Sequence, residues 1–218
     1  MLNLVTNRHT GDIETMLELA NRIVGLARSR RGAAIQAGQD ALKMRAELRP
    51  LIEHLGKEEG FRKRYVAAML PMILEGAMDH TDAEMGNIQL CNGPGSLKIV
   101  VQSGFNLPFL EYFDSVHAGQ AACGWALQNA GRVVVRDVTD SPIFHNSPAL
   151  EVVLDAGVRS VQSTPLLSAS GRVLGVLSTH SGRLKDLCKG ELARIDHFAR
   201  WAAALLQWRD SGVFPQVS

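Results

Sequence analysis

Two strand–turn–strand units set the main limits on what this chain can fold into. Asn87–Cys91 (NIQLC) and Ser96–Gln102 (SLKIVVQ) flank the turn Asn92-Gly93-Pro94-Gly95. Val158–Leu167 and Arg172–His180 likewise flank Ser168-Ala169-Ser170-Gly171. β-like runs on either side of a Gly, Pro, Asn or Ser turn read as hairpins. Between them the pattern changes repeatedly. Leu107–Ser115 reads as one or two helical turns, Gly119–Ala130 as a helix of small residues, and Arg132–Val138 as a strand. Ser147-Pro148 supplies a cap and a first-turn proline for a helix running to Ala156, and Gly157 is its C-terminal stop. Helix, strand, turn, helix, strand, tight turn and strand follow one another in an order that predicts an α+β domain enclosing a pocket.

Helical spacing frames this middle section. Residues 12–30 carry an apolar stripe of Ile13, Met16, Leu17, Ala20, Ile23, Val24 and Ala27, with Asp12 as N-cap and Gly32 as stop. A second helix is expected from Ala33 to Arg49, ending at Pro50. A third runs from Phe61 to Asp79, where Pro71 marks either a kink or the true start. The last helix spans about Glu191–Arg209. This gives an N-terminal helical extension over 1–60, a main domain over 61–210 and a tail over 211–218. The helices of the extension cannot bury their stripes alone, so they are expected to pack on the main domain, on each other or on a second copy of the chain. A homodimer built on helices follows, with Phe198, Trp201, Leu205 and Trp208 wrapping several faces of the closing helix.

Composition narrows the function classes. The chain has 218 residues, is 46% hydrophobic and 21% charged, and carries a net charge of +1. Residues 1–65 hold twelve Lys/Arg against eight Asp/Glu, and the remainder eleven against fourteen. The basic clusters at Arg28–Arg31 and Arg62–Arg64 have no nucleic-acid motif beside them, so helix faces account for them and no nucleic-acid partner is expected. No apolar run approaches the roughly 20 residues that span a membrane, and the N-terminus has no signal-peptide pattern, so a cytoplasmic location is expected. Cys91, Cys123 and Cys188 are three, widely spaced and never in CxxC, which argues against a disulfide framework or a zinc ribbon.

The segments ACGWAL (Ala122–Leu127), VVVRDV (Val133–Val138), AGVRSVQSTPL (Ala156–Leu166) and GRVLGVLSTH (Gly171–His180) resemble the GAF domain over about Tyr65–Arg209, and in particular the GAF modules of bacterial sensor histidine kinases. The resemblance implies a six-stranded antiparallel sheet with the terminal helices on one face. It also implies a ligand pocket on the other face, against the segments of 107–157. A non-catalytic sensory or regulatory domain follows, one that binds a small molecule and acts on a partner protein in signal transduction. That partner would be a separate signalling protein such as a histidine kinase, since no output segment follows Arg209. The alternative is a ligand-free dimeric scaffold that uses the fold for protein–protein interaction. The segment SGRLKDLCKGELARIDHF lacks the pattern of cyclic-nucleotide binders, and Cys123 is followed by Gly124 rather than histidine, which argues against covalent bilin. The cofactor stays unidentified.

Several residues are candidates for ligand contact. Cys123 sits near a helix start, where a thiolate is favoured. A cysteine in similar context serves free methionine-(R)-sulfoxide reductases, but the second cysteine such enzymes need is absent from His145–Val161; a small buried hydrophobe is the other reading. His117, His145 and His180 lie at the ends of pocket-bordering elements, yet their spacing supports no metal site. Asp137 follows a strand and either holds a ligand or shapes a turn. Asn87, Gln89, Gln162, Thr164, Ser178 and His180 interrupt apolar strands and need partners if buried. Phe113 and Trp125 add an aromatic wall. The expected ligand-binding set is thus Phe113, His117, Cys123, Trp125, Asp137, His145, Gln162, Thr164, Ser178 and His180, with no catalytic residue and no metal ligand.

Overall fold

The computed structural model describes residue 50 and residues 54–213. The N-terminal apolar stripe, and the homodimer expectation resting on it, lie outside the described residues. The described chain falls into two compact units, one of residues 54–72 with 208–213 and one of residues 73–207.

Within the larger unit the elements alternate as the turn signals require. They are β1 (Met85–Cys91), β2 (Ser96–Ser103), α2 (Leu107–Tyr112), β3 (Ser115–His117), α3 (Ala121–Asn129), β4 (Val133–Val135), α4 (Pro148–Asp155), β5 (Ser160–Leu167) and β6 (Val173–Ser181). Helix α1 (Glu59–Thr81) enters this unit and α5 (Lys189–Ser211) leaves it. The strands form one six-stranded sheet in the order β3-β2-β1-β6-β5-β4, and every pairing is antiparallel. Both expected hairpins are present, β1–β2 and β5–β6.

Three details differ from the sequence reading. The strand expected over 132–138 is paired only at Val133–Val135, and Val138–Asp140 turns into a 3-10 helix capped by Asp137. The sixth strand, β3, has three residues and pairs with the start of β2. Helix α1 begins at Glu59, well before Pro71, so the proline is not its true start.

Alternation along the central strands separates two faces. Gly86, Ile88 and Leu90 of β1 point one way, toward helices α1 and α5. A side chain at Gly86 would collide with Leu74 and Met78 of α1, so glycine lets the helix lie directly on the strand. Gly76 is similarly covered by the Phe198 ring of α5. Met85, Asn87 and Gln89 point the other way, toward α2, α3 and α4. A cluster of buried side chains there includes Met85, Leu97, Phe109, Phe113, Val138, Phe144 and Val153.

The smaller unit is held by an aromatic cluster. The Tyr65 and Phe61 rings meet Trp208 edge-on at 5.5 and 6.4 Å. Arg62 donates to the Arg209 and Gly56 carbonyls at 3.1 and 2.8 Å. Trp208, one of the residues wrapping the closing helix, is buried within its own chain.

Candidate functional site

Strand parity and register build a polar floor on the α2–α4 side of the sheet. Asn87 pairs across the ladder with Ser178, and Ser178 with Ser163. Two residues along, Met85 pairs with His180 and His180 with Val161. Gln89 lies two residues further along β1 in the opposite direction. Four polar positions from β1 and β6 therefore face the same side: Asn87, Gln89, Ser178 and His180. Ser163 of β5 joins them.

A cavity lies above this floor. Phe109 of α2 and Phe113 at its C-cap form one wall, with ring centroids 4.5 Å apart. Ala121, Ala122 and Cys123 at the start of α3 form another, and Phe144, Val153 and Val158 close the rest. The centre of a water molecule can occupy only about 20 Å³ of it, room for about one water. The approach of α3 depends on Gly124, because a Cβ there would collide with the His117 carbonyl oxygen. Gln120, just before the helix, accepts a hydrogen bond from the His117 backbone N–H at 3.1 Å. These contacts hold Cys123 against the cavity.

The floor's polar groups differ in how they are satisfied. Ser163 and Ser178 hydrogen-bond each other at 2.7 Å. Asn87, Gln89 and His180 are 3%, 0% and 7% exposed. Six buried side-chain polar atoms among the described residues have no hydrogen-bond partner, and four belong to these three residues: Asn87 Oδ1, both polar atoms of Gln89, and His180 Nδ1. Buried polar groups are almost always paired, and these four atoms converge on a cavity with room for about one water. The His180 ring stands edge-on to Phe105 and Phe109 at 5.0 and 6.0 Å. Burial in this setting pushes its pKa down to about 3 and keeps the imidazole neutral.

Cys123 is not activated. Burial of its sulfur pushes the thiol up to about 11. Backbone N–H groups at the helix start offset part of that rise, and the Gln89 carboxamide beside the sulfur offsets a little more without forming a well-made hydrogen bond. The expectation that a helix start favours a thiolate here is outweighed by desolvation.

The expected ligand-binding residues therefore separate. Phe113, Cys123, Ser178 and His180 line the cavity. Gln162 and Thr164 do not, because parity turns them to the helix face. There Gln162 donates to Thr179 at 3.3 Å and accepts from Thr164 at 2.7 Å, while Arg132 donates to Thr164 at 2.9 Å. Arg132 also pairs with Asp196 of α5. These buried side chains satisfy one another. His117 is exposed on edge strand β3, and Trp125 and His145 are exposed away from the cavity. Asp137 caps the 3-10 turn through Thr139 and pairs with Arg159 at 3.1 Å. The Thr139 hydroxyl, its backbone N–H and Arg159 hold the Asp137 carboxyl below its usual range. Asn87, Gln89 and Ser163 are the polar cavity residues missing from the expected set. Among the described residues no cluster of three metal-ligating side chains exists, and no helix is long and apolar enough to cross a membrane.

No protein of curated function matches the sequence. Solved structures do match its fold. A GAF domain from a phosphoenolpyruvate-protein phosphotransferase of Coxiella burnetii aligns with a TM-score of 0.57 at 16% identity, covering 67% of this chain and 86% of that one. A domain assigned to a two-component sensor histidine kinase protein of Sinorhizobium meliloti 1021 gives 0.52 at 17% identity, covering 64% and 88%. The free methionine-R-sulfoxide reductase of Neisseria meningitidis gives 0.52 at 19% identity, covering 74% and 93%. At these identities the likeness is one of fold. The GAF domain model matches residues 65–206, well over half of the chain. With the six-stranded sheet and its flanking helices, that match places the protein in the GAF domain family.

Proposed function

We propose that this protein is a non-catalytic regulatory domain that binds a small molecule above the polar floor of its sheet and transmits occupancy to a partner protein in signal transduction. The observation that carries the reading is the set of orphaned atoms on Asn87, Gln89 and His180. Binding sites are mostly apolar with a few placed polar groups, and here the polar groups are placed without partners of their own. The neutral imidazole and the protonated thiol of Cys123 suit binding better than nucleophilic chemistry. The N-terminal stripe and the closing helix would join two copies, so light scattering should give about twice the 23.7 kDa chain mass.

A second reading, a ligand-free scaffold, is favoured by the small volume of the cavity. Native mass spectrometry of the freshly purified protein, followed by a thermal-shift screen of small metabolites, separates the two. Sensing predicts either a retained compound or a stabilising hit that Gln89→Met abolishes. A bare mass with no stabilising compound would leave the scaffold.

A further inference from the structure

We infer that the cavity takes an uncharged one-ring heterocycle presenting a cyclic amide edge, held by the Asn87 and Gln89 carboxamides. The inference rests on the proposed function and names the ligand class for that site. None of the cavity residues is Asp, Glu, Lys or Arg. An isolated charge moved into such a place loses hydration that nothing returns, and that loss is large. Phosphates, carboxylates and ammonium groups are therefore excluded.

The polar floor defines the complement. Gln89 carries a free N–H donor and a free carbonyl acceptor, and Asn87 a free carbonyl acceptor. A ring with adjacent N–H and C=O groups answers a carboxamide with two hydrogen bonds at once. The third orphan, His180 Nδ1, donates or accepts according to its tautomer and can take a further ring atom. Opposite the floor, the Phe109 and Phe113 rings line the cavity and give a flat ligand an aromatic, apolar wall. The cavity as it stands has room for about one water, so a ring enters only if the Phe109–Phe113 wall yields, and a single ring asks the least of it. That wall belongs to α2, a helix of six residues outside the hydrogen-bonded sheet.

Two matched pairs of probes test the inference on the full chain: uracil against orotate, and 2-pyridone against its 5-carboxylate. Each pair keeps the ring and changes the charge. Binding is read from thermal shifts and from the side-chain amide signals of Asn87 and Gln89 by NMR. The expected result is that at least one neutral probe moves those signals while its anionic partner does not. Gln89→Met should weaken that binding roughly tenfold or more while melting at or above the wild-type temperature, because it removes two orphaned atoms. Should Gln89→Met not fold, Asn87→Leu carries the same comparison. An anionic probe that binds at the cavity as well as its neutral partner overturns the ligand class and leaves small-molecule binding standing. Undiminished binding in the folded variant overturns carboxamide recognition. If no probe binds at millimolar concentration, the inference fails, and the proposed function is then judged by native mass spectrometry of the purified protein.

Discussion

Ser163 and Ser178 join their hydroxyls at 2.7 Å across the β5–β6 ladder, in the floor of the cavity and out of water. Each is the other's partner, so the pair behaves as one unit. Ser163→Ala leaves the Ser178 hydroxyl buried and alone, at a cost of about 1–2 kcal/mol. The double variant Ser163→Ala/Ser178→Ala removes both hydroxyls and should recover most of that loss. Urea unfolding of the four proteins gives the coupling energy. Additive losses would mean that the hydroxyls do not depend on each other.

On the opposite face, Arg132 ties α5 to the sheet. Its guanidinium donates to Thr164 at 2.9 Å and to the Leu192 carbonyl at 3.2 Å, and pairs with Asp196. Thr164 in turn donates to Gln162, and Gln162 to Thr179 of β6. Arg132→Met should cost about 1 kcal/mol, a modest figure because Asp196 keeps 44% side-chain exposure and solvent screens the pair. It should also speed amide exchange at the start of α5, where the Leu192 carbonyl loses its donor. Unchanged exchange there would show that the helix is held by its apolar face alone.

The architecture was legible where turn chemistry and strand-like runs agreed, as at Asn92-Gly93-Pro94-Gly95 and at Ser168–Gly171. It was not legible at β3, whose three residues carry no periodicity and are strands only because β2 offers an edge. The cavity was half legible. Asn87, Gln89, Ser178 and His180 stood out as polar residues in apolar strands, and parity places all four on one face. In β5 the polar residues Gln162, Ser163 and Thr164 are consecutive, so composition alone cannot assign a face. Register with Ser178 selects Ser163 and turns Gln162 and Thr164 away. The histidines misled because ends of elements in sequence need not converge in space: His117 and His145 are exposed, and only His180 reaches the floor.

Cys123 should be the slowest of the three cysteines to alkylate. With its thiol pushed up to about 11 by burial, the thiolate fraction at neutral pH is about one part in ten thousand. Cys91 and Cys188 are exposed. Iodoacetamide labelling mapped by mass spectrometry should modify those two first, with Cys123 labelling rising only at strongly alkaline pH. Preferential labelling of Cys123 near neutral pH would reveal an activated nucleophile and reopen thiol chemistry for this site.

His180 should give the protein a specific acid sensitivity. In the folded chain burial holds its pKa at about 3, whereas an unfolded histidine titrates near 6.5. Between those values the unfolded state binds a proton that the folded state refuses, so stability rises with pH through that window. Above pH 6.5 both states are neutral and the contribution is constant. As pH falls below 6.5, His180 alone should remove on the order of one kcal/mol per pH unit. The cleanest interval is pH 6.5 to 5, before most carboxylates titrate. The edge-on contacts with Phe105 and Phe109 allow an aromatic replacement of similar breadth, so His180→Phe should fold and flatten the dependence there. Equal slopes for wild type and His180→Phe in urea unfolding across pH 5–6.5 would show that the imidazole is not kept neutral in the fold.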